Sequence, residues 1–476
     1  MPDHATPVEP IDVLSAFRHN LYASLTHRGD ELFELTDALL CTDGPVRTLV
    51  DLSLAPEHRR GHGALYAGLN HGRIDTARLR WSLAALPPPR TAQGRLVLAV
   101  DVSPWLRPDA ATSPGRSFCH TYGRGADQHL IVPGWPYSVV AALESGPTSW
   151  TAVLDAVRLE PDTDVAAVTA QQLRSVVQRL IHAGHHNPSE PDIMVVADAG
   201  YDLPRLAHLL SGLPVQVLGR MRSDRVLYRP APERTPGTQG RPPRHGPTLS
   251  FADPATWGEP DQTTSTHTDR YGAVTARAWD RLHPLLTRRS AWVGHSEPLP
   301  IIEGTVIRLR VEYLPSGGVN KPVWLWCSAL GLSGAEVDRC WQMFLRRFDI
   351  EHTFRLFKQV LGWCAPKVRS AWAADRWTWL VIAAYAQLRL ARGLTAELRR
   401  PWERAVAPER RTPARVRRGF RYLRAKLASV ACAPKPCRPG PGRPPGARNK
   451  HRAPVQPVGK QDKTPTTGKG GERQAA

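Results

Sequence analysis

The chain has 476 residues, room for roughly two to four domains and a sizeable core. Its 63 Lys and Arg outnumber 43 Asp and Glu, and the formal charge of +20 directs the search for a partner to polyanions, nucleic acid before membrane. Seven scattered cysteines make no disulfide framework, the apolar run at 377–388 is too short to span a bilayer, and Met1–Pro10 lacks the basic-then-apolar order of a secretory signal, so a cytoplasmic protein is expected.

Residues 8–85 read as helices broken by short turns, and the Pro-Pro-Pro-Arg at 87–90 closes that region. A β-rich run, RLVLAVDVS at 95–103, ends in a charge. Strand-like PYSVVAAL (136–143) and WTAVLDAVRL (150–159) follow, then a helical pattern over about 163–184. The strand DIMVVAD (192–198), a helix near 202–211 and the strand VQVLG (215–219) complete the series. Three strands, helix, strand, helix, strand is the order of the ribonuclease-H-like fold, whereas a doubly wound sheet alternates strand and helix from the start. The expected class is therefore α/β, a ribonuclease-H-like mixed sheet with helices.

Residues 220–335 are rich in Pro, Gly, Thr and Arg, with IRLRVEYL (307–314) and PVWLWCSAL (322–330) as the clearest strands. They read as a β-rich domain inserted into the sheet domain, because helices resume only from about 335. The expected plan is a helical region at 1–90, a first core part at 91–219, the insertion at 220–335, and a second core part with C-terminal helices at 336–430. The basic, Pro/Gly-rich tail at 431–476 is expected to be disordered. RVRRGFRYLRAKL at 415–427 predicts an amphipathic helix that packs through Val416, Phe420, Leu423 and Leu427 and leaves its Arg face for DNA.

Asp101 ends the first sheet strand and Asp198 the fourth, and in a ribonuclease-H-like sheet those strands are neighbours. Glu351 lies in a stretch where Phe344, Arg347, Glu351 and Lys358 are spaced three, four and seven apart, which predicts one stripe of a single helix. Three carboxylates drawn together repel unless cations neutralise them. Oxygen-only ligation suits Mg²⁺ or Mn²⁺. Two such ions activate water or a 3′-hydroxyl for attack on a phosphodiester.

These residues resemble the DDE transposases of bacterial insertion sequences, in the branch marked by Tyr-x2-Arg-x3-Glu-x6-Lys, matched here as Phe344-x2-Arg347-x3-Glu351-x6-Lys358. DAGYD at 198–202 is similar to the second-aspartate motif, and the separations of 97 and 153 residues leave room for that branch's β-rich insertion. Phe344 in place of Tyr is the departure, and it removes a hydroxyl. The resemblance implies a metal-dependent enzyme, with Asp101, Asp198 and Glu351 holding two Mg²⁺ or Mn²⁺ ions. It would nick each element end and join the freed 3′-hydroxyl to target DNA. Arg347 and Lys358 would hold phosphates of the element end, with Arg355 as an auxiliary contact. The helical region at 1–90 would read terminal inverted repeats, and a homodimer would hold two paired ends in the bacterial nucleoid.

Relatives that cut through a DNA hairpin stack a tryptophan of the insertion on a flipped base. Trp324 and Trp326 share one strand face and are the implied candidates, Trp324 ahead. Packing in the insertion is the competing expectation for both. Gly240-Arg241-Pro242 and Gly442-Arg443-Pro444 resemble minor-groove hooks, which points Arg241 and Arg443 at A·T-rich DNA. Two alternatives remain open: a silent DNA-binding relic, and a structure-selective nuclease of the same superfamily.

Overall fold

The computed structural model describes residues 9–122, 129–146, 148–234, 240–289, 292–315, 317–318, 320–435 and 452–460. The N-terminal region forms α1 (Pro10–Ser24), β1 (Leu25–His27), α2 (Gly29–Cys41), α3 (Leu49–Ser53), α4 (His62–His71), β2 (Arg73–Ile74) and α5 (Thr76–Ala84). The two short strands pair antiparallel.

The central elements are β3 (Val97–Leu106), β4 (Ser117–Tyr122), β5 (His129–Leu143), β6 (Thr151–Arg158), α6 (Val165–His182), β7 (Ile193–Ala197), α7 (Leu203–Leu209) and β8 (Val215–Met221). β5 pairs antiparallel with β3 and β6, β3 pairs parallel with β7, and β7 parallel with β8. The path β6-β5-β3-β7-β8 is the ribonuclease-H-like arrangement expected from the order of elements. β4, which the sequence pattern did not mark, pairs with the first half of the long β5. Asp164 and Asp202 cap α6 and α7 by accepting from free backbone N–H groups, which starts both helices just after the chain leaves a strand. Alternation along β3 sends Leu98 and Val100 to one face and Val97 and Ala99 to the other, so the strand is covered on both sides.

Next come β9 (Val226–Tyr228), β10 (Thr248–Ser250), β11 (Gln262–Thr268), β12 (Gly272–Leu282), β13 (Gly304–Val311) and β14 (Val323–Cys327). The segment expected as an inserted domain does not close on itself. β11 to β14 form an antiparallel meander, and β14 pairs with β8, so the strands continue one ten-stranded sheet as a wing. The free ladder edge of β8 needs backbone partners, and β14 supplies them. Composition carries no trace of that pairing.

The chain ends its fold with α8 (Gly334–Arg346), α9 (Phe348–Gln359), α10 (Ala371–Leu390) and α11 (Pro413–Arg424). Ser333 and Glu336 form a reciprocal capping box at the start of α8. α9 lies across β3, β5 and β6. The N-terminal helices share one continuous core with α10 and α11, where Leu14, Phe17 and Leu39 pack with Leu380, Val381 and Phe420. Buried polar groups join the same parts: Arg18 donates to Asp37 at 2.7 Å and to Gln387 at 2.6 Å, and Arg424 donates to Asp37 at 2.7 Å.

Two expectations about the C-terminal part change. Val416, Phe420, Leu423 and Leu427 are buried as expected, but four of the five arginines of α11 pair with acids of this chain, and the fifth, Arg417, donates to the Leu39 and Gly44 carbonyls. Arg415 meets Glu397 at 2.8 Å, Arg418 meets Glu403, and Arg421 meets Glu57 at 3.5 Å. Periodicity locates such a face and says nothing of which acids fold against it. Within the tail, residues 452–460 are held: Gln456 N–H donates to the Ala111 carbonyl at 2.9 Å and Gly459 N–H to the Arg116 carbonyl at 2.8 Å. These bonds use backbone groups, which a polar composition does not reveal. Among the described residues no helix is long and apolar enough to cross a membrane.

Candidate active site

Parallel pairing sets Ala99 of β3 opposite Val196 of β7. Asp101 and Asp198 each lie two residues beyond that pair, so the two acids stand at the same level on neighbouring strands. Asp198 follows the end of β7, whereas Asp101, expected at a strand end, is inside β3, which continues to Leu106. Asp101 Oδ1 accepts from the Val102 N–H at 2.8 Å, which fixes its carboxylate at the strand. Glu351 sits in the first turn of α9, the helix that crosses these strands.

Arg347 joins the three. Its Nη1 is 3.0 Å from Asp101 Oδ2, and its Nη2 is 3.3 Å from Glu351 Oε1 and 3.7 Å from Asp198 Oδ2. The arginine is only 3 % exposed, its Nε is buried without a hydrogen-bond partner, and Phe348 lies under its guanidinium at 5.0 Å. Asp198 and Glu351 keep 42 % and 48 % of their side chains open to solvent. The site is thus a buried cation at the centre of a partly open ring of acids.

Asp101 carries the electrostatic cost. Burial, with the Asp198 and Glu351 charges adding to it, pushes its carboxyl up to about 6, and Arg347 and the Val102 N–H only partly oppose this. Tyr201, the aromatic residue of DAGYD, was not assigned a role from sequence. Its buried hydroxyl stands near enough to Asp101 and Asp198 for their charges to add to burial in raising its pKa. The signal that marks it is its place three residues after Asp198, in the turn where Tyr201 N–H bonds the Asp198 carbonyl at 3.2 Å.

A sequence-family model described as DDE superfamily endonuclease matches residues 20–285. The chain belongs to this family. A search of curated proteins finds no match. The matched span runs from α1 into the end of the wing strand β12, so it includes Asp101 and Asp198 and stops before Glu351. For a DDE superfamily endonuclease the substrate is DNA, and such enzymes typically use divalent metals. The donor set fits a hard divalent ion: all three side chains are carboxylates, and those of Asp198 and Glu351 are partly open to solvent. The geometry adds a condition. Among the described residues no three His, Cys, Asp or Glu side chains come close enough to share one ion, because the acids of this endonuclease surround a guanidinium.

The remaining expected residues are dispersed. The stripe predicted as one helix is two, meeting at Arg347, where Ile350 N–H bonds the Arg347 carbonyl at 3.1 Å. Phe344 therefore belongs to α8, is 3 % exposed, and faces the core instead of DNA. Lys358 and Arg355 are exposed on α9, Lys358 with its Nζ 5.7 Å from the Trp363 ring. Trp324 and Trp326 do share one strand face, but they are packing residues, 4 % and 0 % exposed. Trp324 stacks on Phe251 at 4.2 Å, and Trp326 lies against Gly304, where an added Cβ would collide with its ring. Arg241 is exposed, and Arg443 lies outside the described residues.

Proposed function

We propose that this endonuclease is the transposase of a bacterial insertion sequence. It would hydrolyse the phosphodiester at each element end and then transfer the freed 3′-hydroxyl to a target phosphodiester. The observation that carries this reading is that Asp101, Asp198 and Glu351, though too far apart to share one ion as they stand, all face the one buried guanidinium of Arg347. Asp101, Asp198 and Glu351 would hold the divalent ion, which when bound would supply an activated oxygen nucleophile and neutralise the leaving oxygen. Asp101 and Asp198 set the ligand positions from rigid strands, while Glu351 approaches from a helix. Lys358 and Arg355, exposed on α9 beyond Glu351, suit the phosphates of the element end.

Cutting and joining both ends calls for a homodimer on two terminal inverted repeats. A hairpin intermediate would ask for an open aromatic platform, and the burial of both Trp324 and Trp326 favours a route without one. The test is cleavage, with Mg²⁺ or Mn²⁺, of DNA carrying the gene's own flanks by the wild-type chain and by Asp198→Asn. Cuts at discrete flanking positions that vanish in the variant support the proposal. Cutting only at branched DNA, with no joining of 3′ ends to a target, replaces it by the nuclease reading.

A further inference from the structure

Most described arginines are tied to acids or carbonyls, and among those that are not, three stand side by side on neighbouring strands. Arg277 on β12 pairs in register with Arg308 on β13, and Arg310 stands two residues further along β13, opposite Thr275. Arg277 and Arg310 are exposed and Arg308 is half-buried. No ion pair or side-chain hydrogen bond joins any of the three to another described residue. Arg308 instead lies 4.7 Å above Trp257 and 5.8 Å from Trp324, a stack that holds its guanidinium in place. Like charges opposite one another on neighbouring strands weaken a sheet, so an uncompensated trio is costly unless an anion from outside completes it.

The surroundings define that anion. The residues alternating with the three arginines, among them Ala276, Ile307 and Leu309, are buried with Val337, Cys340 and Trp341 of α8, so the arginine face points away from that helix. Thr263, in register with Arg277, and Ser265, in register with Thr275, add exposed hydroxyls to the same rows. Arg308 and Arg310 are about 6.8 Å apart along the strand, which equals two phosphate steps of about 3.4 Å along a duplex axis. Stacked guanidiniums with flanking hydroxyls and no shaped pocket recognise backbone phosphates, not bases.

We infer that the wing face built by Arg277, Arg308 and Arg310 binds the sugar–phosphate backbone of duplex DNA. The inference rests on the reading of this chain as a DNA transposase, and it adds a second contact surface. β13 lies three strands from β7 and four from β3 along the sheet, about 14 to 19 Å across the sheet from the strands of Asp198 and Asp101 at about 4.8 Å per strand.

The test is binding of the full-length chain to a fluorescein-labelled duplex carrying the gene's flank, followed by anisotropy between about 50 and 200 mM salt. The double variant Arg277→Gln, Arg310→Gln leaves the stacked Arg308 in place, so its unfolding midpoint stays at the wild-type value. It is expected to bind about tenfold more weakly at 0.1 M salt, with a log–log salt slope shallower by about two. Adding Arg308→Gln deepens both effects. A charge-matched control, Arg399→Gln with Arg410→Gln, changes two exposed arginines elsewhere. Equal losses in the control and in the wing variant overturn the inference, as does an unchanged slope in the wing variant, and either result leaves the transposase reading intact. A wild-type chain that binds no duplex overturns both.

Discussion

Arg347 donates to Asp101 at 3.0 Å across 246 residues of sequence, and this pair ties the start of α9 to the first strand of the core. The same guanidinium also touches Glu351 and Asp198, so one positive charge is shared among three carboxylates. A divalent ion held by these carboxylates would compete with this arginine for the same oxygens.

Removing the arginine separates its two effects. Arg347→Ala leaves three acids facing one another, Asp101 being mostly buried, and is expected to cost about 2–4 kcal/mol without metal. Because the competitor is gone, Mn²⁺ should raise the unfolding midpoint of the variant more than that of the wild type. Thermal unfolding with and without Mn²⁺ measures both, and equal metal-induced shifts would show that Arg347 does not compete with the ion.

The raised pKa of Asp101 sets a pH dependence. Its carboxyl goes from an ordinary 3.8 to about 6 in the fold, and Asp349, also pushed to about 6 by burial, has the same sign. The native state then binds these protons more tightly than the unfolded chain does. The stability they contribute is full below about pH 4 and is lost as pH rises through about 6. Denaturant midpoints of the metal-free chain between pH 4 and 7 should therefore fall less steeply for Asp101→Asn than for the wild type. Superimposable curves would contradict the assignment. Metal-dependent cleavage should have its acid limb near pH 6, since the ion needs the ionised carboxylate.

Glu351→Gln tests the third acid, which the family match does not reach. Half of its side chain is in solvent, so the change should leave the unfolding midpoint within about 0.5 kcal/mol of the parent. Loss of at least about 100-fold in end cleavage, with DNA affinity retained, is the expected result. Cleavage at the parental rate would remove Glu351 from the site.

Arg424 and the wing tryptophans are expected to act through the fold. Arg424→Ala breaks a buried contact to Asp37, where Arg18 also binds, and should cost about 3 kcal/mol with no change in the salt slope of DNA binding. Trp324→Ala should cost about 3–5 kcal/mol, because Phe251, Trp257 and Arg308 all rest on that ring. A stable Trp324→Ala chain with a selective loss of end processing would return the indole to a role in DNA contact.

The sequence by itself determined the order of the ribonuclease-H-like elements, because alternation in RLVLAVDVS and DIMVVAD and the helical period over 163–184 are local properties. It also placed Asp198 at a strand end, but Asp101, expected to end its strand, lies inside β3, which runs on to Leu106; parallel pairing of the two strands sets the acids level. Other outcomes were decided only by the tertiary structure. A period of 3.6 assumes an unbroken helix, so the break between α8 and α9 at Arg347, with Phe344 in the core and Arg347 among the acids, was invisible. Backbone hydrogen bonds carry no side-chain signature, so neither the pairing of β14 with β8 nor the docking of residues 452–460 on the Ala111–Arg116 loop was legible. Charge counts gave 54 Arg without saying which have partners. Only packing distinguishes the arginines of α11, neutralised by distant acids, from Arg277, Arg308 and Arg310, which meet none. An ion pair depends on what long-range folding brings within about 4 Å, and sequence neighbours do not fix that.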